Sequence, residues 1–238
     1  MSTRIVEVIS RSLQGVTRPF LCRGDDVRQY FVKGNGAGRK ALISEWIAGN
    51  LGLRLGLPIP SFRFVTIPKE LIEFSARQDI HELGAGAAFG SERIENADEL
   101  TYLFIGQIDR NLRARVLLFD WWTANADRTL TEQGGNPNLL WVHRDHRPFV
   151  IDHNLAFDEQ GMDGFWDTHI FRENALEWNA SFRAEMEDLM RSALKDLPDF
   201  WRQMPELWTE GDAGLSLSDV EKILWRFDRE KARFWRVP

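Results

Sequence analysis

The segment from Asp120 to Asp158 constrains the fold most, because it sets polar residues at fixed points around two short apolar runs. The runs are Leu139–His143 and Pro148–Ile151, and two such runs joined by a polar turn predict a β-hairpin. The polar residues in and before the hairpin are, in chain order, Asn125, Asp127, Arg128, Asn138 and Asp152. The pattern therefore predicts an amide and a carboxylate on neighbouring strands, next to a loop that carries another carboxylate.

This order of oxygen-bearing side chains is the one that phosphoryl transfer from a nucleotide requires. One carboxylate orients the attacking hydroxyl, while an amide oxygen and a second carboxylate hold magnesium against the phosphates. The order assigns the first role to Asp127 and the metal to Asn138 and Asp152. Arg128 would neutralise charge or order the loop, and Asn136 in the same loop is a rival metal ligand. The alternative is that these aspartates only cap helices and turns.

A lysine and a glutamate in the first part of the chain extend this nucleotide hypothesis. Lys33 lies on the predicted strand Arg28–Gly34, and Glu45 lies near the start of the predicted helix Lys40–Leu55. A strand lysine that faces a cleft pairs with the α- and β-phosphates, and an acidic residue on the next helix holds it there. The alternative is a surface lysine at the end of a strand and a solvated glutamate.

Two loops are candidates for contact with phosphate. Gln14 and Gly15 lie between the first two predicted strands, where a phosphate-covering loop would sit, although a plain hairpin turn explains them equally well. The glycine-rich run from Gly34 to Gly38 precedes a helix, so its backbone N–H groups are available to phosphate. The same run also fits a flexible connector.

These segments resemble the HipA-like kinases and, more distantly, the phosphoinositide-kinase-like group. The family core reads roughly Asn-x-Asp-Arg, a short loop, Asn-Leu-Leu, a strand and Ile-Asp-His-Gly. The matching residues here are Asn125, Asp127, Arg128, Asn138, Leu139, Leu140, Ile151, Asp152 and His153. Earlier matches are Leu13–Pro19, Tyr30–Lys33, Glu45 and Leu53–Pro60, so that the resemblance covers about residues 10 to 160 in the family's order.

The resemblance implies an ATP- and Mg2+-dependent kinase. The catalytic residues that it implies are Asp127, Lys33 and Arg128. The residues that it implies for nucleotide binding are Gln14, Gly15, Lys33 and Glu45, and those for the metal are Asn138 and Asp152. Since HipA-like kinases are switched off by phosphorylation of a serine in the loop over the nucleotide, Ser12 is the favoured position here and Thr17 the second.

The chain departs from the family pattern in three places. Asn154 stands where the family usually has Gly, and we expect it to tolerate a left-handed backbone there. The loop from Asp127 to Asn138 is longer than is usual in the family. We expect the chain to lack the extra N-terminal domain of the full-length toxin-type members, which weakens the expectation of toxin biology more than that of the chemistry.

The residue pattern predicts an α+β fold. The remaining strands are predicted at Thr3–Ile9, Pro19–Arg23 and Ser61–Ile67, and the remaining helices at Pro68–Gln78, Ala97–Phe104, Asp109–Thr123, Ala175–Leu197 and Ser218–Trp235, the last with a capping box that starts at Ser218. Strands in the first part and helices in the rest favour a bilobal protein-kinase-like domain. Its small, β-rich N-lobe, which contains one main helix, is predicted at 1–92, and its larger helical C-lobe is predicted at 93–238. The glycine-rich run from Gly84 to Gly90 is predicted to cross between the lobes.

Two clusters suggest other chemistry and are set aside. His143-Arg144-Asp145 copies the catalytic loop of eukaryotic protein kinases, but the fifth residue after Asp145 is Val150 and not the required Asn, so we interpret the tripeptide as a hairpin tip. A zinc site among His143, His146, Asp152 and His153 matches no known ligand spacing. The ten tryptophans predict a large helical core, with Trp235 as the expected exception.

Composition bounds the function further. The formal net charge of −6 disfavours direct nucleic-acid binding, which is mostly cationic. The single Cys22 lies in an apolar run and is predicted to be a packed thiol in a reducing compartment. No signal peptide or membrane span is predicted, so a cytoplasmic location is expected.

We therefore predict a serine/threonine-type protein kinase whose partners are a protein substrate and an antitoxin or regulatory protein. The alternatives are a small-molecule kinase and a catalytically inactive nucleotide-binding module that docks a partner.

Overall fold

The computed structural model describes residues 3–12 and 17–237, which combine strands and helices as the α+β prediction requires. The strands are β1 (Thr3–Arg11), β2 (Phe20–Gly24), β3 (Gln29–Lys33), β4 (Phe62–Ile67), β5 (Gly86–Glu92), β6 (Ala97–Glu99), β7 (Thr129–Thr131), β8 (Gly134–Asn136), β9 (Leu139–Val142) and β10 (Arg147–Val150). The helices are α1 (Arg39–Arg54), α2 (Lys69–Glu73), α3 (Arg110–Thr123), α4 (Phe165–Thr168), α5 (Ala180–Gln203), α6 (Glu206–Thr209), α7 (Leu217–Leu224), α8 (Arg226–Arg229) and α9 (Lys231–Phe234).

The first five strands form a closed barrel in the order β1-β2-β3-β5-β4. Neighbouring strands run antiparallel, except that β1 and β4 close the barrel as a parallel pair through Thr3–Val65 and Arg4–Thr66. The barrel core contains alternate side chains of these strands, which is the pattern expected when one face of each strand is buried. Its members on the strands are Ile5, Phe20, Cys22, Tyr30, Val32, Val65, Ile67 and Ala88, and Ile80 and Leu83 join them from the 3-10 helix Ile80–Glu82 and the residue after it.

A second sheet of three strands has the order β10-β9-β6. β9 and β10 form the predicted hairpin, in which Leu139 pairs with Val150 and Val142 pairs with Arg147. The sequence His143-Arg144-Asp145 lies in the turn of this hairpin, as predicted. The hairpin sets Asn138 just before one strand and Asp152 two residues beyond the other, on the same end of the pair.

Helix α1 packs into the main core rather than into the barrel. Its residues Leu42, Ile47 and Leu51 are buried with those of α3 and α5 in one cluster. Two side-chain hydrogen bonds fix it there: Trp46 Nε1 donates to the carbonyl of Phe200 at 2.9 Å, and Ser44 Oγ donates to that of Ala156 at 3.0 Å. The helix therefore carries Glu45 on a firmly packed scaffold.

Several predicted elements differ from the observed ones. The glycine-rich run from Gly84 to Gly90 does not form the predicted crossing between lobes. Most of it belongs to β5, a strand of the barrel that pairs with β3 on one side and β4 on the other. The predicted helix Ala97–Phe104 is wrong, since Ala97–Glu99 pairs with β9 as β6 and a 3-10 helix follows at Tyr102–Gln107.

The C-terminal helices also differ in position. Residues 175–177 belong to a 3-10 turn, and α5 begins only after Asn179, whose side chain accepts a hydrogen bond from the N–H of Phe182 at 3.0 Å. The last predicted helix is broken into α7, α8 and α9, and its capping box starts at Ser216 instead of Ser218.

The tryptophan prediction holds except at one position. All ten side chains lie in the main core or pack against it. Trp235, the predicted exception, is only 4% exposed. Cys22 is buried in the barrel, and burial raises the pKa of its thiol to about 12. Within residues 3–12 and 17–237, no helix combines the length and the apolar character that crossing a bilayer demands.

Candidate active site

A cavity of about 190 Å3 lies between the barrel, helix α1 and the β9–β10 hairpin. Lys33 from β3, Glu45 from α1, and Asn138 and Asp152 from the two ends of the hairpin all line it. The rest of the wall is largely apolar and includes Phe31, Ile59, Phe62, Phe89, Leu140 and Val150. The chain thus brings together in one cavity four residues that the sequence singled out from distant positions.

Lys33 forms the centre of the charged side of this cavity. Its ammonium group donates to Glu45 Oε1 and, at 2.6 Å, to Asp152 Oδ1. The second oxygen of Glu45 accepts a hydrogen bond from the backbone N–H of His153 at 3.2 Å. One buried cation therefore joins β3 and α1 to the residue that follows the hairpin.

Burial and charge act against each other in this group. Burial favours the neutral form of Lys33, but the carboxylates of Glu45 and Asp152 outweigh it and raise the pKa of the lysine above its ordinary value. Burial raises the pKa of Glu45 to about 7, against the opposing effect of the Lys33 charge. Burial would also raise the pKa of Asp152, yet the adjacent ammonium holds it below its ordinary value. Lys33 and Asp152 are therefore both charged at neutral pH.

Asn138 and Asp152 share an unusual backbone conformation. Their φ angles are +47° and +58°, in the left-handed region that Asn and Asp tolerate better than other non-glycine residues. The N–H of Ile151 donates to the carbonyl of Asn138 at 3.0 Å, so the two segments lie directly side by side. The left-handed residue expected at Asn154 is not there, because the change of direction occurs at Asp152 itself.

These side chains fit a hard cation. Mg2+ typically takes one or two protein oxygens and fills its shell with water and substrate phosphate. Asn138 uses its amide N–H2 toward Asp127, which leaves its amide oxygen directed elsewhere. Among the described residues no group of three or more His, Cys, Asp or Glu side chains is arranged to hold a metal. A magnesium ion at this site would accordingly depend on the phosphates for several ligands.

Asp127 is half-buried beside the cavity, held by two amides. Its Oδ2 atom accepts hydrogen bonds from Asn136 Nδ2 at 2.7 Å and Asn138 Nδ2 at 3.0 Å. Its Oδ1 atom accepts none from the described residues, so it is left for a group outside the chain. The rival ligand Asn136 thus shares with Asn138 the role of orienting this carboxylate.

Arg128 lies in the interior, behind the site. It is fully buried, and its Nε atom donates to Asp120 Oδ2 at 2.7 Å. Its Nη1 atom donates to the backbone carbonyl of Asn138, the residue whose side chain is a predicted metal ligand. Of the two roles predicted for Arg128, this position fits the ordering of the loop.

The phosphate-covering loop is the part of the prediction that cannot be placed. Gln14 and Gly15 lie outside the described residues, so their assignment stays a prediction. Ser12, the favoured phosphorylation position, lines the cavity. In the run from Gly34 to Gly38, Gly34 and Gly36 pack against the 3-10 helix Ile80–Glu82 and the residue after it, where a Cβ atom at Gly34 would lie 1.8 Å from the carbonyl oxygen of Leu83.

Sequence reasoning missed two residues behind the site, Asp120 and His169. Both side chains are fully buried, and they contact each other across 49 positions of sequence at 2.9 Å. The one available signal was an aspartate in the apolar helix α3, where a charged residue is rarely buried without a partner. Nothing in the sequence indicates His169 as that partner.

A family model of HipA-like kinases matches residues 5–238, which is nearly the whole chain. The chain belongs to the HipA-like kinase family. Membership indicates phosphotransferase chemistry, and it extends the resemblance noted in residues 10 to 160 to the C-terminal helices as well. The site residues named above lie within the matched range.

Two further comparisons complete this picture. No curated protein matches the sequence. Among solved structures, this chain is similar to the crystal structure of the Golgi casein kinase with Mn/ADP bound, at 11% sequence identity and a TM-score of 0.40. That similarity covers 98% of this chain and 72% of the other.

Proposed function

We propose that this HipA-like kinase uses ATP and Mg2+ and transfers the γ-phosphate to a serine or threonine hydroxyl of a protein. The observation that carries the proposal is the position of Asp127: its carboxylate is oriented by the same amide, Asn138, that lines the cavity with Lys33 and Asp152. The proposed phosphate-binding cation and the two metal-type ligands therefore line one cavity, and the proposed general base is bonded to one of those ligands.

Each residue has a separate task in this reaction. Asp127 Oδ1 orients the acceptor hydroxyl and takes its proton as the new O–P bond forms, while ADP leaves with the electrons of the broken bond. Lys33 moves from Asp152 toward the α- and β-phosphates and stays paired with Glu45. The amide oxygen of Asn138 and the carboxylate of Asp152 would hold Mg2+, which would neutralise charge on the phosphates.

The bilobal arrangement belongs to the same proposal. We assign the barrel and α1, residues 1–92, to the part that covers the nucleotide, and residues 93–238 to the part that supplies the catalytic aspartate and metal ligands. The apolar wall formed by Phe62, Leu140 and Val150 suits the flat face of adenine, since nucleotide pockets combine apolar walls with a few polar groups.

Radiolabelled ATP with a lysate of the source cells tests this function directly. Wild-type protein is expected to label a protein band, and the label is expected on phosphoserine or phosphothreonine after acid hydrolysis. Asp127→Asn should reduce the rate by about three or more orders of magnitude, as expected for loss of the residue that orients the nucleophile. Asp145→Asn is the matched control, because Asp145 lies in the exposed turn of the hairpin.

Three outcomes would contradict the proposal in different ways. Label on a small molecule alone would indicate a small-molecule kinase. Magnesium-dependent ATP binding without transfer would indicate an inactive docking module. Loss of activity in Asp145→Asn but not in Asp127→Asn would place the catalytic loop elsewhere.

A further inference from the structure

A buried polar cluster lies directly behind the candidate active site. Asp120 on α3, Arg128 in the loop after it and His169 at the end of α4 are each 0% exposed. Asp120 Oδ2 accepts from Arg128 Nε at 2.7 Å and from His169 Nε2 at 2.9 Å. Its Oδ1 accepts from Arg128 Nη2 at 3.2 Å and from Asn125 Nδ2 at 3.1 Å. Both oxygens of the carboxylate are fully used by neighbours within the chain.

The hydrogen bonds of His169 fix its tautomer. Its Nδ1 atom accepts the backbone N–H of Phe171 at 3.0 Å, so the ring proton sits on Nε2 and points at Asp120. Burial lowers the pKa of His169, so the ring is neutral at physiological pH. The same segment also bonds to the loop backbone, because the N–H of Ile170 donates to the carbonyl of Arg128 at 3.0 Å.

The cluster reaches the metal ligands through Arg128. Its Nη1 atom donates to the carbonyl of Asn138 and lies 3.3 Å from that of Pro137 and 3.5 Å from that of Ile151. These carbonyls belong to the two chain segments that carry Asn138 and Asp152. Both ligands are held in a left-handed backbone, which persists only when surrounding contacts enforce it.

We infer that Asp120 and His169 are positioning residues for the magnesium site, acting through Arg128 on the backbone of Asn138 and Ile151. The inference rests on the proposed function, because it takes Asn138 and Asp152 as the metal ligands. Neither residue touches the cavity, so neither is catalytic. His169 also links the segment from Phe165 to Phe171 to the loop that carries Asp127. A loss of order in that segment would therefore also disturb the metal site.

The physical reason lies in the orientation of one guanidinium group. Without the Nε2–H of His169, Asp120 Oδ2 loses one of its two donors, and only Arg128 itself and Asn125 are left to fix the orientation of the carboxylate that holds Arg128. Partners that orient metal ligands typically change metal affinity by about 10- to 100-fold when they are lost. An effect of this size on magnesium is expected here, without contact between His169 and the metal.

Substitution of His169 tests the inference through the magnesium requirement of ATP binding. His169→Phe keeps a ring but removes the donor, and it is expected to raise the Mg2+ concentration for half-maximal thermal stabilisation by ATP about tenfold or more. His169→Gln keeps an N–H near the same position and is expected to restore most of the wild-type value. His81→Phe, which replaces an exposed histidine distant in sequence from His169, is the matched control and should leave that Mg2+ concentration unchanged.

A second measurement needs neither nucleotide nor metal. The amide of Ile151, bonded to the carbonyl of Asn138, is expected to exchange its hydrogen about tenfold or more faster in His169→Phe than in wild-type protein, and close to normally in His169→Gln. If the His169→Phe protein does not fold, His169→Asn gives the same comparison, since its shorter amide does not reach Asp120.

The two measurements separate the inference from the proposed function. Unchanged Ile151 exchange in His169→Phe would overturn the positioning role, even if that protein melted at a lower temperature. A wild-type protein without magnesium-dependent ATP binding would instead contradict the proposed function, and the exchange of Ile151 would still decide the role of His169.

Discussion

At the scale of single residues, Asp127 depends on two amides that differ in their surroundings. Asn138 is 5% exposed and is bonded through its backbone carbonyl to Ile151, beside Asp152. Asn136 lies in β8, part of a separate two-stranded hairpin with β7. Both donate to Asp127 Oδ2, so hydrogen bonding to this carboxylate does not distinguish them. Proximity to Asp152 favours Asn138 as the metal ligand.

Alanine substitutions at the two amides separate these roles. Asn138→Ala is expected to raise the Mg2+ concentration required for half-maximal turnover by about tenfold or more, because it removes a ligand oxygen. Asn136→Ala is expected to lower the maximal rate through Asp127 and to leave the Mg2+ requirement within about twofold of wild type. Magnesium titrations at saturating ATP measure both quantities. The opposite pattern would make Asn136 the ligand.

Several residues that line the cavity could be predicted from the sequence to share one site. Lys33, Glu45 and Asp152 could be predicted because the phosphate and metal binding that we propose would restrict the residue types and their order along the chain. Asp120 and His169 could not, because their contact depends on how α3 packs against a segment 49 residues later. The left-handed residue was placed at Asn154 instead of Asp152 for the same reason: the turn is enforced by tertiary hydrogen bonds and not by local propensity.

At the scale of elements, the strands of the barrel were predictable from alternation, and the exceptions have tertiary causes. β5 looks like a flexible loop because it is rich in glycine. A Cβ atom at Gly90 would lie 2.7 Å from Val65 Cγ1, so glycine is required there for β5 to pair with β4. The segment from Ala97 to Glu99 has residues that suit a helix, but pairing with β9 overrides that preference.

The join between α1 and α5 gives a prediction at this scale. The last four carbonyls of a helix have no partner within it, and Trp46 Nε1 donates to one of them, that of Phe200, at 2.9 Å. Trp46→Phe should therefore lower the free energy of unfolding by about 1 to 3 kcal/mol, since it leaves a buried carbonyl without a donor. Urea denaturation measures this change.

A tryptophan on α5, next to Phe200 in the sequence, serves as the control. Trp201 is half-buried on α5, and its indole N–H donates no hydrogen bond within the described part of the chain. Trp201→Phe is expected to cost clearly less than Trp46→Phe. Equal losses would mean that ring volume, and not the hydrogen bond to Phe200, accounts for the stability at Trp46.

At the scale of the whole molecule, helix α1 lies within the first 92 residues of the sequence, but it is buried in the core that it shares with α3 and α5. Its buried face lies in the main core, while its Trp46 ring stacks on Phe64 of β4 with centroids 4.0 Å apart. A Cβ atom at Gly49 would lie 2.9 Å from the ring of Phe62, so the barrel approaches the helix closely. The predicted boundary at 92/93 therefore divides the sequence into a barrel and a helical part that both pack against α1.

This sharing predicts that the barrel and the helical core unfold together. The chain offers one probe for each, because all ten tryptophans lie in the main core or pack against it and the single cysteine lies in the barrel core. Tryptophan fluorescence and the labelling of Cys22 by a thiol reagent at pH 8 are expected to give coincident midpoints in urea. In native protein the labelling should be at least about a hundredfold slower than that of a free thiol, because it requires the barrel to open and because burial raises the pKa of Cys22 to about 12. Labelling of Cys22 at a urea concentration where fluorescence is unchanged would show instead that residues 1–92 form an independent unit and that α1 does not couple it to the helical core.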